Sequence, residues 1–338
     1  MIVTALTDMF GLQHPIILGP MGGVSGGELA AAVSNAGGLG LVGGGYGDPA
    51  WLRTELSHVR QATQRPWGAG LITWSASPGV LDLVLSYRPH AVMLSFGDPR
   101  PYAAAIKSAG CKLICQAQGL EEARLAQEAG ADLIVAEGTE AGGHGGVRAT
   151  LPLVPAVVDA VAPTPVVAAG GIADGRGLAA ALMLGAHGAL IGTRFYASAE
   201  ALGHERAKQR IVAAHGDQTA RTRIFDIIRG YAWPPIYTGR AIRNGFMERW
   251  NGREHHLANV LETERAGYRA AARDGDFDTA VVWAGEAVDL IDSVESASAL
   301  VARIGAEAEA QLRAGADLTR PAREAVGVVP RAIANTTG

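Results

Sequence analysis

The chain has 338 residues, 48% of them hydrophobic and 18% charged, with a formal net charge of −4. That length accommodates one large domain with a cap, and the lack of a basic block or an acidic tail argues against a nucleic-acid binder and against a disordered partner arm. The opening MIVTALTDMFGLQHP has no basic segment leading into an apolar one, and no apolar run is long enough to cross a membrane, so a cytoplasmic protein without a membrane partner is expected.

The first apolar run, PIILG, leads into SGGELAAAVSNAG, in which Leu29, Ala32 and Val33 share a helix face and Gly37 is a natural stop. Seven more runs follow: LGLVGG, WGAGLITW, HAVMLSF, KLICQAQ, DLIVAEG, PVVAAGG and GALIGTRF. Helical patterns such as PAWLRTELSHVRQAT, GLEEARLAQEAG and GRGLAAALMLGA lie between them. Runs that are apolar at every position, rather than at alternate ones, suit strands buried on both faces of a parallel sheet. Eight such units predict an α/β fold of the (β/α)8 TIM-barrel type, in preference to an open doubly wound sheet. Cys111 and Cys115 fall in one such run; four residues apart on a strand they share a face but stand too far apart to bridge, so both are expected as buried thiols.

The alternation stops after about Ser198, where the chain becomes richer in arginine and aromatic residues. WPP (233–235) fits neither a helix interior nor a central strand. Residues 201–280 are expected to form a mostly helical lid or insertion, with 1–200 and 281–315 making the barrel and its closing helices. ASALVARIGAEAEAQLRAGA reads as an amphipathic closing helix, and 316–338 as a C-terminal tail.

A barrel of this kind gathers its functional groups where the strands end. Those ends are GPMGG, GGG (43–45), Thr73 with Trp74, Ser95 with Phe96, Gln116 with Gln118, EGTEAGGHGG, AGGI (169–172) and GTRF (192–195). Gly170 with Gly171 and Gly192 with Thr193 end the last two runs, the usual place of a phosphate cradle. Met21 is soft enough to pack on a flat ring, and Gln116 is a polar group able to donate to a ring nitrogen or carbonyl. His144 is the one histidine inside a strand-end motif, and an imidazole flanked by glycines can approach a ligand closely and titrate near neutrality. No cysteine or histidine cluster has metal-ligand spacing, so no catalytic metal is expected.

The blocks GPMGG…AGGLGLVGGG, VAEGTEAGGHGG, PVVAAGGIADGRGLAAALMLGAHGALIGTRF and VVWAGEAVDLI, in that order, resemble the nitronate monooxygenase family, also called 2-nitropropane dioxygenases. The resemblance implies an FMN-dependent barrel with a helical lid that uses O2 to oxidise alkyl nitronates, and in some members nitroalkanes, to carbonyl compounds and nitrite. It further implies that His144 is the catalytic base or the anchor of the substrate's charge. By the same resemblance Gly170, Gly171, Gly192 and Thr193 hold the FMN phosphate. Pro20, Met21 and Gly22 lie beside the isoalloxazine, Gln116 lies near the ring, and Glu137, Gly142 and Gly143 line the same site. Thr73 completes the expected cofactor set, and a homodimer is compatible with the reading. FMN-dependent NAD(P)H reductases of the same fold, of the enoyl-carrier-protein or quinone type, share the EAGGH loop, so that activity stays open as an alternative. The segment VRATLPLVPAVV is shorter than in many members, which leaves the substrate open.

Overall fold

Each apolar run becomes a short strand because both of its faces are covered, one by the strands opposite and one by helices. In the computed structural model, which describes residues 1–318, the strands are β1 (Ile16–Leu18), β2 (Gly40–Gly43), β3 (Trp67–Ile72), β4 (Ala91–Ser95), β5 (Lys112–Ala117), β6 (Leu133–Glu137), β7 (Gly143–Gly145), β8 (Val166–Ala169), β9 (Ala189–Ile191), β10 (Thr219–Thr222) and β11 (Thr238–Ile242). Eight of them form one parallel sheet in the order β1-β9-β8-β6-β5-β4-β3-β2. A parallel bridge from Ile17 to Leu39 brings the two ends together, so the sheet is a nearly closed TIM barrel.

Alternation along the strands divides the core in two. Ile17, Leu41, Met93, Ile114, Leu133, Val135, Val167 and Leu190 point into the barrel, where Leu6, Phe10 and Leu12 of the N-terminal segment join them. Ile16, Leu18, Val42, Val92, Leu94, Leu113, Ile134 and Val166 point outward against the helices. Asp48, Ser77, Asp174 and Ser296 each cap a helix by accepting a backbone N–H of its first turn.

After β9 the expected barrel helix is only Thr193–Tyr196. The chain then leaves the barrel and returns as the long helix Ala297–Asp317, which packs on the helices Gly175–Met183 and Gly27–Asn35. Glu307 on this helix accepts the N–H of Gly175 at 3.0 Å, tying the closing helix to the turn that follows β8. Residues 316 and 317, read from sequence as the start of the tail, belong to this helix; the rest of that tail, from 319 on, lies outside the described residues.

The excursion contains the helices Glu205–Val212, Ile224–Arg229, Gly245–Trp250, Glu254–Asn259 and Leu261–Asp274. It has a small core of its own around Ile224, Phe225, Phe246, Met247, Leu257 and Tyr268. It is not helical throughout: β10 and β11 pair antiparallel, and β7, the histidine loop itself, adds to β11 with His144 opposite Gly239. Arg221 and Arg240 sit inside these strands, which hides their pattern in the sequence. Their guanidinium groups turn inward, and both donate to the Thr139 carbonyl. Cys111 and Cys115 are both buried and unbridged. Among the described residues no helix is long and apolar enough to cross a membrane.

Candidate active site

The ends of the strands and the inner face of the excursion enclose a cavity of about 210 Å3, more than tenfold the ~10–15 Å3 that admits one water. Its wall contains Pro20, Met21, Gly22, Gln116, Glu137, Gly142, Gly143, His144, Gly170, Gly171, Gly192 and Thr193. Thr73 stands apart: it lies under the wall, its N–H bound to the Ser95 carbonyl at 2.8 Å and its hydroxyl buried without a partner.

The bare backbone has two separate causes. Some glycines are small because the chain packs on itself. A Cβ on Gly70 would stand 2.4 Å from the Pro20 ring, one on Gly43 2.3 Å from the Met21 carbonyl, and one on Gly142 2.7 Å from Gly285 N. On Gly170 it would stand 2.8 Å from the Gly138 carbonyl, at a φ of +97°. Others face the cavity. A Cβ on Gly192 would meet only the Met21 sulfur, at 3.7 Å. Among the described residues the N–H groups of Gly171 and Gly192 reach no protein acceptor. Unspent donors beside an open cavity are what a phosphate requires. The neighbouring Thr193 hydroxyl accepts Gly285 N–H at 3.0 Å, and the buried Arg194 donates to the carbonyls of Ala197 and Ser293, so this turn is braced from outside the barrel.

His144 is 9% exposed. Both oxygens of Asp226, on the helix Ile224–Arg229, lie within 2.9 and 3.0 Å of its Nε2. Its ring stacks on Trp233 with centroids 3.5 Å apart and planes 3° from parallel. Nδ1 has no protein partner among the described residues and is not one of the fully enclosed, unpaired atoms. Burial holds this imidazole below its ordinary pKa, and the hydrogen bond and charge of Asp226 oppose the shift. The net direction favours neutral imidazole, with its one proton shared toward Asp226 and its Nδ1 lone pair left free.

Gln116 lines the cavity, but its amide is engaged within the wall. Nε2 donates to Glu137 Oε2 at 2.8 Å, and Oε1 accepts the Ser95 hydroxyl at 3.3 Å. Phe96 turns back at φ +63°, a left-handed conformation that a non-glycine residue rarely takes. Its ring reaches 5.0 Å from Trp233 and 5.2 Å from Tyr237, and its edge faces His144.

Asp226 and Trp233 were not singled out from the sequence. Asp226 lies 82 residues from His144 and shares no motif with it. Trp233 stands in the sequence only as part of a helix-breaking WPP. Tyr46, Arg229 and Trp283 also line the cavity; Tyr46 accepts the Trp233 Nε1–H at 2.9 Å and stacks on Tyr231 at 3.7 Å. Aromatic density in 225–250 was the only available signal, and it names no single partner.

A family model described as nitronate monooxygenase matches residues 3–79 and 73–307. A Neurospora crassa protein named nitronate monooxygenase is 33% identical over 348 residues, covering 89% of this chain and 91% of its own. A Mycobacterium tuberculosis protein named (3aS,4S,5R,7aS)-5-hydroxy-7a-methyl-1-oxo-octahydro-1H-indene-4-carboxyl-CoA dehydrogenase is 30% identical over 350 residues, covering 93% of this chain and 98% of its own. Among solved structures, FabK from Thermotoga maritima superposes with a TM-score of 0.84 at 34% identity, covering 94% of this chain and all of that one.

Proposed function

The chain belongs to the nitronate monooxygenase family of oxidoreductases, and from that membership we propose that it binds FMN and oxidises alkyl nitronates with O2 to carbonyl compounds and nitrite, with His144 as the base that admits neutral nitroalkanes as well. The observation that carries this reading is the His144–Asp226 pair at the cavity wall, with Nδ1 unspent.

The proposed sequence of events runs through the chain's own groups. The Gly171 and Gly192 N–H groups receive the cofactor's terminal phosphate, a single phosphate that suits FMN rather than a dinucleotide. Bound FMN supplies the electron acceptor and the partner for O2. Asp226 holds the imidazole by Nε2–H, so Nδ1 is the atom that takes the α-proton of a nitroalkane. Trp233, stacked on the ring, fixes its plane and keeps water from that face. The imidazolium formed by proton transfer then sits beside the Asp226 carboxylate and the new nitronate anion, both of which stabilise it.

The test separates base from anchor. A positioned general base contributes ~10²–10⁴-fold. His144→Ala should lose about that much turnover on a neutral nitroalkane and much less on the preformed nitronate, with flavin content unchanged. Equal losses on both substrates would remove the base role.

A second reading is a flavin-dependent reductase or dehydrogenase acting on acyl thioesters. It is favoured by the likeness to FabK and to the carboxyl-CoA dehydrogenase. In that case the holoenzyme is reduced by NADH or by an acyl-CoA, and nitronates leave it oxidised.

A further inference from the structure

The cavity contains a second titratable group whose surroundings are unlike those of His144. Glu137 ends β6, lines the cavity and is 7% exposed. Both amides that reach it donate to the same oxygen: Gln116 Nε2 to Oε2 at 2.8 Å and Gln118 Nε2 to Oε2 at 3.1 Å. No cation among the described residues lies within ion-pair distance. Arg221, the guanidinium whose charge acts on it, is spent on the carbonyls of Thr139, Gly145 and Thr238. Among the described residues Oε1 has no protein partner, and it is not one of the fully enclosed unpaired atoms, so it is reached from the cavity.

We propose that Glu137 is a neutral carboxyl whose Oε1–H donates a hydrogen bond to an oxyanion of the bound substrate, making β6 the oxyanion-binding wall of the cavity. The inference deepens the proposed function and rests on its placing of the substrate in this cavity. The chemistry is that of a carboxylic acid kept protonated by an apolar site so that it can serve as a donor. Burial drives it: the carboxyl is pushed up to about 8, against the lowering effects of the Gln118 hydrogen bond and of Arg221. The donor geometry agrees. Two amides on one oxygen satisfy that oxygen, and the proton then resides on the other. A nitronate oxygen and an enolate oxygen are both acceptors of this kind. A carboxylate at this position would instead repel either anion.

The groups that reach Glu137 by hydrogen bond or charge are Gln116 from β5, Gln118 and Glu122 beyond it, Arg221 from β10 and Tyr237 just before β11, while His144 from β7 shares the cavity wall with it. Burial lowers the pKa of His144, so it is neutral above pH 7. Burial and Glu122 raise Tyr237 beyond the accessible range, so it stays neutral. Arg221 stays cationic: burial lowers it, but from a value far above neutrality. Of Glu137, His144, Tyr237 and Arg221, Glu137 is the one whose charge changes between neutral and mildly alkaline pH.

The experiment uses the flavin-loaded protein and a probe that cannot react. Acetate, planar and anionic like a nitronate, and its neutral counterpart acetamide are titrated calorimetrically at about pH 7 and about pH 9.5. For a carboxyl near 8, acetate should bind wild type about 30-fold more weakly at the higher pH, by proton linkage. Acetamide should change little. In Glu137→Gln, which keeps a neutral donor and cannot ionise, the weakening should vanish. An infrared difference spectrum of wild type across the same range should lose a protonated-carboxyl band that the variant lacks. Acetate binding that is pH-independent in wild type, or absent, overturns the proposal, and so does a spectrum without the band. Because no turnover is measured, failure here leaves the nitronate assay to be judged on its own.

Discussion

At His144 two forces oppose each other: burial drives the proton off, and Asp226 draws it back. The lowered pKa predicts that proton abstraction from nitroalkanes switches on below the ordinary imidazole value of about 6.5, since the base is competent above its own pKa. Asp226→Asn removes the group that favours the protonated form. The acid limb of the pH profile should therefore move to still lower pH, while flavin content and turnover on preformed nitronate stay near wild type. A limb that moves up or does not move would detach Asp226 from the imidazole. The histidine could be read from the sequence because glycines mark it on both sides. Its partner could not, since nothing local to Asp226 distinguishes it from any acid in a helix.

Among elements, the strands of the barrel were legible because burial on both faces leaves them apolar throughout, and their glycine ends followed from the same pattern. β10 and β11 were not legible. Each carries an inward arginine satisfied by carbonyls from another part of the chain, and no period shows that. The β7 loop likewise becomes a strand only because β11 offers it an edge. The glycines of the last two barrel turns can be told apart by substitution. Gly192→Ala adds a methyl that meets only the Met21 sulfur at 3.7 Å, so the fold should keep its melting temperature while the methyl projects into the cavity and FMN affinity falls at least tenfold. Gly170→Ala forces a Cβ against the Gly138 carbonyl at a positive φ and should lose ~1–3 kcal/mol of stability whether or not flavin is present. Thermal melts with and without added FMN separate the two. A Gly192→Ala protein that binds FMN as wild type does would remove this turn from the cradle.

For the whole molecule, the excursion and the barrel make one site. The excursion supplies Arg229 and Trp233 to the wall and Asp226 behind His144, the barrel supplies the glycine turns, and the segment that returns to the closing helix brings Trp283 and Gly285 to the wall. Neither part alone holds both His144 and the Asp226 carboxylate that orients it. The fold is shared with FabK, so architecture does not decide which reductant the cavity serves. The decisive measurement is anaerobic spectrophotometry of the purified protein, with any chromophore identified by mass, against an alkyl nitronate, NADH and NADPH in separate cuvettes. An FMN chromophore, bleaching by the nitronate and none by either nicotinamide are expected. Bleaching by NADH or NADPH with a nitronate that leaves the spectrum unchanged would contradict the proposed function.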